Sequence, residues 1–233
     1  MIARGCFLFG IEMSGTITGL VVQEKNKERV NVFLDGEFAF GLTMLEAFKL
    51  RKGQSLSDAE IGRLKALDEI EVAHERALNF LSYRPRSVAE VRRNLAEKGF
   101  AEEAIDAVIT RLTDARLLGD EAFARYWVDN REAFQPRSAK ALRFELRRKG
   151  VPDADIASAV EEVDEDSSAY RSARSLAKRH AQADWQTFRK KLGDFLTRRG
   201  FQYGTARDVI KRLWEEFGGG DRPDSGDDYS DSA

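Results

Sequence analysis

The stretch Pro85-Arg86-Ser87-Val88-Ala89-Glu90-Val91-Arg92-Arg93-Asn94-Leu95-Ala96-Glu97-Lys98-Gly99-Phe100 returns 51 positions later as Pro136-Arg137-Ser138-Ala139-Lys140-Ala141-Leu142-Arg143-Phe144-Glu145-Leu146-Arg147-Arg148-Lys149-Gly150-Val151. Arg199-Gly200-Phe201 continues the series at a shift of 50. A Pro-Arg turn stops the preceding helix, and a serine stands where an N-cap is needed. Twelve residues after each serine, the glycine of Lys98-Gly99 or Lys149-Gly150 stands where a left-handed C-cap is needed, and the apolar residue behind it closes the cap. Between these marks the apolar residues Val88, Val91 and Leu95 map onto Ala139, Leu142 and Leu146. In the third copy Leu192 and Leu196 hold two of these places and Arg189 replaces the first. A later helix carries Val108, Ile109 and Leu112, then Ala159, Val160 and Val163, then Val209, Ile210 and Leu213. Steps of three and four place each set on one helical stripe.

Self-similarity at a fixed period marks stacked repeats, because a three-helix unit this small buries little alone. The expected architecture is mostly α: three tandem three-helix repeats in an extended, curved solenoid, preceded by a small antiparallel β-sheet. The alternative is one irregular bundle with a coincidental match; a shared turn, cap and stripe at one shift argues against it. The expected divisions are an N-terminal extension (1–15, for which disorder is one reading), a sheet with a connecting helix (16–72), repeats at 73–120, 121–167 and 168–217, and an acidic disordered tail (218–233).

In the N-terminal region Val30, Val32 and Leu34 alternate with polar neighbours, as do Phe38, Phe40 and Leu42, around an Asp35-Gly36 turn. A two-residue loop would pair Phe33 with Phe38 and set Val32 and Phe40 on opposite faces, so a three-residue loop is predicted. An earlier strand at about 16–23 should pair with 29–34, giving three strands. Ser57-Asp58-Ala59-Glu60 reads as a capping box that opens a long helix.

Composition narrows the class. Among 233 residues, 33% are charged, above the ordinary level of about 25%, with few prolines. That combination points to exposed helices. Cys6 is the single cysteine, so no internal disulfide forms, and a reducing cytoplasm is the expected location. No apolar run approaches the roughly 18 residues of a membrane span. The apolar patch Cys6–Ile11 has poor signal-peptide flanks, and Met13 is an alternative start to Met1. Residues 73–217 carry 28 basic and 24 acidic groups, against 1 and 5 in the tail, so a mildly basic body sits beside an acidic end. The last repeat is the most basic, with 12 basic and 5 acidic residues. Phosphate-binding loops and dinucleotide turns are missing. His74 and His180 stand far apart and form no metal set with Cys6, and His74 between Glu71 and Glu75 reads as a helix-surface residue. No catalytic residue, cofactor or metal is therefore expected. Trp127, Trp185 and Trp214 are expected in the core or its seams.

Three stretches resemble the RecX family: Leu78-Asn79-Phe80-Leu81-Ser82-Tyr83-Arg84-Pro85-Arg86-Ser87, Leu95-Ala96-Glu97-Lys98-Gly99-Phe100, and Leu117-Leu118-Gly119-Asp120-Glu121-Ala122-Phe123-Ala124-Arg125-Tyr126-Trp127-Val128. Val30–Gly41 is similar to the extension of some members. The resemblance covers about residues 16–217, and the third repeat departs from it by lacking the Pro-Arg-Ser turn. It implies a regulatory protein, not an enzyme, that binds the RecA recombinase filament on single-stranded DNA along its helical groove. Such a protein most often inhibits filament growth, ATPase and strand exchange, in recombination, DNA repair and the SOS response. The implied partners are the RecA filament and single-stranded DNA, directly or within the filament, with no membrane; the chain itself is expected to be a monomer.

The candidate contacts come from charge and spacing. Lys140, Arg143 and Arg147 form a basic stripe opposite the apolar one, which Arg148 and Lys149 extend. Arg189, Lys190, Lys191, Arg198 and Arg199 dominate the third repeat. Repeated middle helices would set these charges side by side as one strip for phosphate or an acidic protein surface. The bland alternative is a solvated helix face, with cations favoured near helix C-termini. Rival functions are a sequence-tolerant DNA-binding module acting without a recombinase, and a pure scaffold.

Overall fold

The computed structural model describes residues 14–24 and 26–218; the N-terminal extension through residue 13, with both candidate starts, and the acidic tail from residue 219 lie outside the described residues. The order is β1 (Gly15–Val22), β2 (Arg29–Leu34), β3 (Glu37–Thr43), α1 (Met44–Ala47), β4 (Ser55–Leu56), α2 (Asp58–Ser82), α3 (Val88–Ala96), α4 (Glu102–Asp114), α5 (Asp120–Phe134), α6 (Ala139–Arg148), α7 (Asp153–Val160), α8 (Glu165–Arg179), α9 (Trp185–Arg198) and α10 (Tyr203–Phe217). The fold is mostly helical, with a small antiparallel sheet at its N-terminal end and three-helix repeats after it. Two compact units result. Of the described residues, the first comprises those up to Arg84 with Val91–Ala115, and the second Pro85–Glu90 with those from Arg116 onward.

In the first unit the sheet has the order β3-β2-β1-β4. The fourth strand, not foreseen, is the short Ser55–Leu56 pair on the start of β1. The predicted three-residue hairpin loop is incorrect. Leu34 pairs with Glu37 and Phe33 with Phe38 across a two-residue Asp35-Gly36 turn. Both turn residues have positive φ, 49° and 94°. That is the primed geometry whose twist suits a hairpin. The register then shifts by one, so Val32 faces Phe40 and Val30 faces Leu42. A bulge after Phe38 absorbs the odd residue that the loop had been expected to hold. Either device puts Val30, Val32, Phe40 and Leu42 on the buried face, but the bulge leaves Phe38, expected on that face too, 60% exposed.

Ile61 of α2 joins this apolar face. The capping box at its start is formed: the Glu60 amide donates to Ser57 Oγ and the Ser57 amide donates to Glu60 Oε2. The connecting helix and the first helix of the first repeat turn out to be one 25-residue helix. Arg29 pairs with Asp68 at 2.7 Å near its middle. Farther along, Glu69 accepts the Ala101 amide at the start of α4, Glu71 pairs with Arg111, and Ala73 and Ala77 are buried. His74 is half-buried on this helix, where burial and the charge of Arg111 lower its pKa.

The C-caps follow the expected chemistry in all three copies. Gly99, Gly150 and Gly200 have φ of 85°, 78° and 89°. The amides of Phe100, Val151 and Phe201 donate back to Leu95, Leu146 and Leu196, the long bond of a Schellman motif. The third middle helix differs from expectation. It begins at Asp184, whose carboxylate accepts the Thr187 amide. Its first core place is filled by Phe188, fully buried with its ring 5.0 Å from that of Trp214. Arg189, one residue on, is half-buried. Phe188 thus stands where the first two copies carry their capping serine. Trp214 is buried and Trp185 stacks edge-on against it at 5.5 Å, as expected for seam and core residues.

Within the second unit, the N-terminus of a middle helix receives its successor's cap. The amides of Glu90 and Ala141 donate to Ser87 and Ser138 in the local N-caps. Beyond those, Ser87 Oγ donates to the carbonyl of Lys149 at 2.6 Å, and the Ser138 amide donates to the carbonyl of Arg199 at 3.3 Å. The amides of Val88 and Ala139 donate to Asp120 and Glu165, each the first residue of the following copy's first helix. Burial pushes the Asp120 carboxyl above its ordinary pKa range, the Val88 amide opposes this, and Asp155 adds to the rise. The turns seat closely. A β-carbon at Gly150 would stand 2.4 Å from that of Ala89, and one at Gly200 would stand 2.7 Å from Ser138 Oγ and 3.0 Å from the Ala141 β-carbon. At Gly99 it would meet nothing within 4 Å among the described residues.

Replacing these glycines separates backbone strain from crowding. Gly99→Ala should cost about 1–2 kcal/mol for the left-handed backbone alone. Gly150→Ala and Gly200→Ala should each cost roughly 1–3 kcal/mol more, because a neighbouring helix start must move. Urea midpoints at unchanged m report the difference; equal losses at the three positions would show that the turns are not seated this way.

Candidate functional site

A helix advances 100° per residue, so α6 divides into three sectors. Ala139, Leu142 and Leu146 are buried. Glu145, half-buried, forms a polar edge. It accepts from Trp127 Nε1 at 2.8 Å and Arg131 Nε at 2.8 Å, and pairs with Arg137 at 2.9 Å. The third sector, Lys140, Arg143, Phe144, Arg147 and Arg148, is exposed. It carries four cations and no acid of its own. Among the described residues Arg147 alone of these is ion-paired, with Asp153 of α7 at 2.8 Å. Lys140 and Arg143 make no ion pair among the described residues. A field of uncompensated positive charge on one helix face attracts polyanions and acidic protein surfaces.

The other expected contacts separate. Lys190, Lys191 and Arg198 of α9 are exposed, and Asp194 lies between the last two along the helix. Arg199 is largely engaged in holding the copies together. Its guanidinium donates to the carbonyl of Pro136 at 3.2 Å and lies 4.9 Å from the Phe195 ring. Burial, with Arg137 and Arg131 nearby, lowers its pKa. Lys149, read from sequence as an extension of the basic stripe, is likewise inward-facing. Its ammonium pairs with Glu90 at 3.1 Å and sits 4.1 Å from the centre of the Trp127 ring. Arg131 lies 4.4 Å from the same ring. Trp127 is therefore a seam residue held among cations, as expected.

Sequence reading missed Phe144. Its ring is 62% exposed, with the Arg148 guanidinium 5.9 Å from its centre. The available signal was an aromatic residue falling off the Ala139, Leu142 and Leu146 stripe and standing between Arg143 and Arg147, two arginines four positions apart. Reading missed Glu145 too, because a lone glutamate in a charged helix carries no local sign that it is a hub. Among the described residues no group of three or more His, Cys, Asp or Glu side chains is placed to hold a metal ion. No helix of these residues is long and apolar enough to cross a membrane.

Comparison with known proteins agrees with this architecture. Residues 15–57 match the family described as the regulatory protein RecX N-terminal domain, residues 73–112 the first RecX three-helix domain, and residues 120–160 the second. The regulatory protein RecX of Bacillus subtilis is 34% identical over 206 residues, spanning 86% of this chain and 76% of the relative. That of Geobacillus kaustophilus is 33% identical, spanning 84% and 76%. A crystal structure of regulatory protein RecX superposes with a TM-score of 0.65 at 26% identity, covering 84% of this chain and 99% of the other. That of RecX from Lactobacillus salivarius gives 0.55 at 25% identity, covering 63% and 97%. Three matching domains in the same order, with relatives this similar over most of their length, show that the chain belongs to the RecX family of regulatory proteins.

Proposed function

We propose that this chain binds a RecA-type recombinase filament on single-stranded DNA and restrains its growth, ATPase and strand exchange, acting in the cytoplasm as a non-catalytic monomer. Membership of the RecX family supports the regulatory role. The observation that carries the mode of binding is the exposed basic face of α6, of which Lys140 and Arg143 make no ion pair among the described residues, together with the exposed cations of α9 in the same unit. These side chains are not consumed by the junctions between copies, as Lys149 and Arg199 are. A filament is a repeating polyanion coated with repeating protein, so many modest contacts add through effective concentration instead of through one deep pocket. Each contact is solvent-exposed and therefore weakened by salt.

The same face favours a second reading, a DNA-binding module that acts without a recombinase. Recombinase ATPase on single-stranded DNA, titrated with this chain, separates the two. Action on the filament predicts inhibition with the chain well below the concentration of DNA sites. Inhibition only once those sites are saturated would replace that reading with simple competition for the strand, and no effect at any ratio would leave a scaffold.

Charge reversal tests the surface. Lys140→Glu with Arg143→Glu, and separately Lys190→Glu with Lys191→Glu, should weaken filament binding and flatten its salt dependence by about one unit of slope per lost phosphate contact. Helicity and melting should stay nearly unchanged. Arg147 and Arg199 are left intact because each already has a partner. Binding by both double variants equal to the parent's at moderate salt would remove these helices from the contact.

A further inference from the structure

We infer that Phe144 is a stacking platform for an unpaired base of single-stranded nucleic acid, with Lys140, Arg143 and Arg148 holding the flanking phosphates. This rests on the proposal above only in taking the outer face of α6 as the surface that meets the strand.

The fold does not ask for a phenyl ring at this position. The places that build the repeat recur in kind: Leu95, Leu146 and Leu196 are all fully buried. The places equivalent to Phe144 hold Arg93 in the first copy and Asp194 in the third, and both are exposed. A polar residue is therefore compatible with the same helix surface, whereas Phe144 leaves 62% of its area in water. Its surroundings identify the ligand. An apolar protein contact needs a neighbourhood of apolar side chains that excludes water around the anchor. On α6 the exposed neighbours of Phe144 are Lys140, Arg143, Arg147 and Arg148, and none is apolar. One aromatic face within a field of cations is the arrangement that binds single strands: the cations follow the backbone and the ring takes any base by its flat face. Duplex DNA offers the same phosphates but keeps its bases stacked inside, so the ring selects for the unpaired strand. The Arg148 guanidinium beside the ring adds a second planar surface and an attraction to its π-system.

The test uses the full chain without recombinase. Binding of a labelled oligothymidylate is compared with that of an abasic strand of the same length and charge. The parent should prefer the strand that carries bases, and Phe144→Ala should lose about fivefold or more of its affinity for that strand while binding the abasic strand as before. Phe144→Trp should keep the preference and add a tryptophan signal that the base-bearing strand quenches; Phe144→Leu should behave like the alanine variant. Circular dichroism and urea midpoints of the variants should match the parent's. Three results overturn the inference: no preference for bases in the parent, equal losses on both strands in Phe144→Ala, or full retention of the preference by Phe144→Ala. Each would leave the ATPase result standing, so failure of stacking and failure of filament restraint are read from different assays.

Discussion

The amides at the start of a middle helix are the constraint on which the second unit is built. A helix N-terminus presents donors with no partner inside the helix, together with the positive end of its dipole. Here the local serine satisfies only part of that demand. The remainder is met by the following copy, through a carboxylate at the start of its first helix and the chain around its Lys-Gly or Arg-Gly turn. Each glycine then has two reasons to be glycine. It turns left-handed to end its own helix, and at Gly150 and Gly200 its missing side chain lets the turn reach the helix start beside it. The third middle helix is followed by no fourth copy among the described residues. It abandons the serine, caps itself with Asp184, and uses the vacated place to bury Phe188 against Trp214. The change of motif that looks in sequence like a decayed repeat thus trades a junction residue for a core residue.

This junction also decides which cations are free to act. In a chain with 33% charged residues, charge alone does not mark a binding surface. Lys149 and Arg199 occupy corresponding places at the ends of α6 and α9, and both turn inward to hold neighbouring segments by ion pair, carbonyl contact or ring face. Arg131 and Arg137 converge on Glu145 in the same way. What remains outward on α6 is a face whose charges have little to neutralise them among the described residues. The distinction is one of partners, and it narrows a broad basic character to a few side chains.

Much of this was legible in the sequence because it depends on local rules. The serine caps, the left-handed glycines, the apolar stripes and the Ser57 capping box each follow from a short-range requirement of the backbone. The hairpin register was not legible for a definite reason. A three-residue loop, or a two-residue turn followed by a bulge, sends Val32 and Phe40 to the same face; the two differ only at Phe38, which alternation places inward and the bulge leaves exposed. Phe188 was overlooked because alignment by spacing assigned its role to Arg189, and the helix starts earlier than the repeat implies. The fates of Lys149 and Arg199 were hidden because their partners, Glu90 and Pro136, lie 59 and 63 positions away. The candidate surface was correspondingly half visible: its cations could be named, but separating working from structural ones required the fold.

Lysine reactivity measured on the free chain and on the chain bound to a recombinase filament tests that separation most directly. The account predicts that Lys140, Lys190 and Lys191 are acylated rapidly when the chain is free and are protected on the filament. Lys149, only 18% exposed in its pair with Glu90, should react slowly in both states. Unchanged reactivity of the three outward lysines on a filament that demonstrably holds the chain would contradict the account.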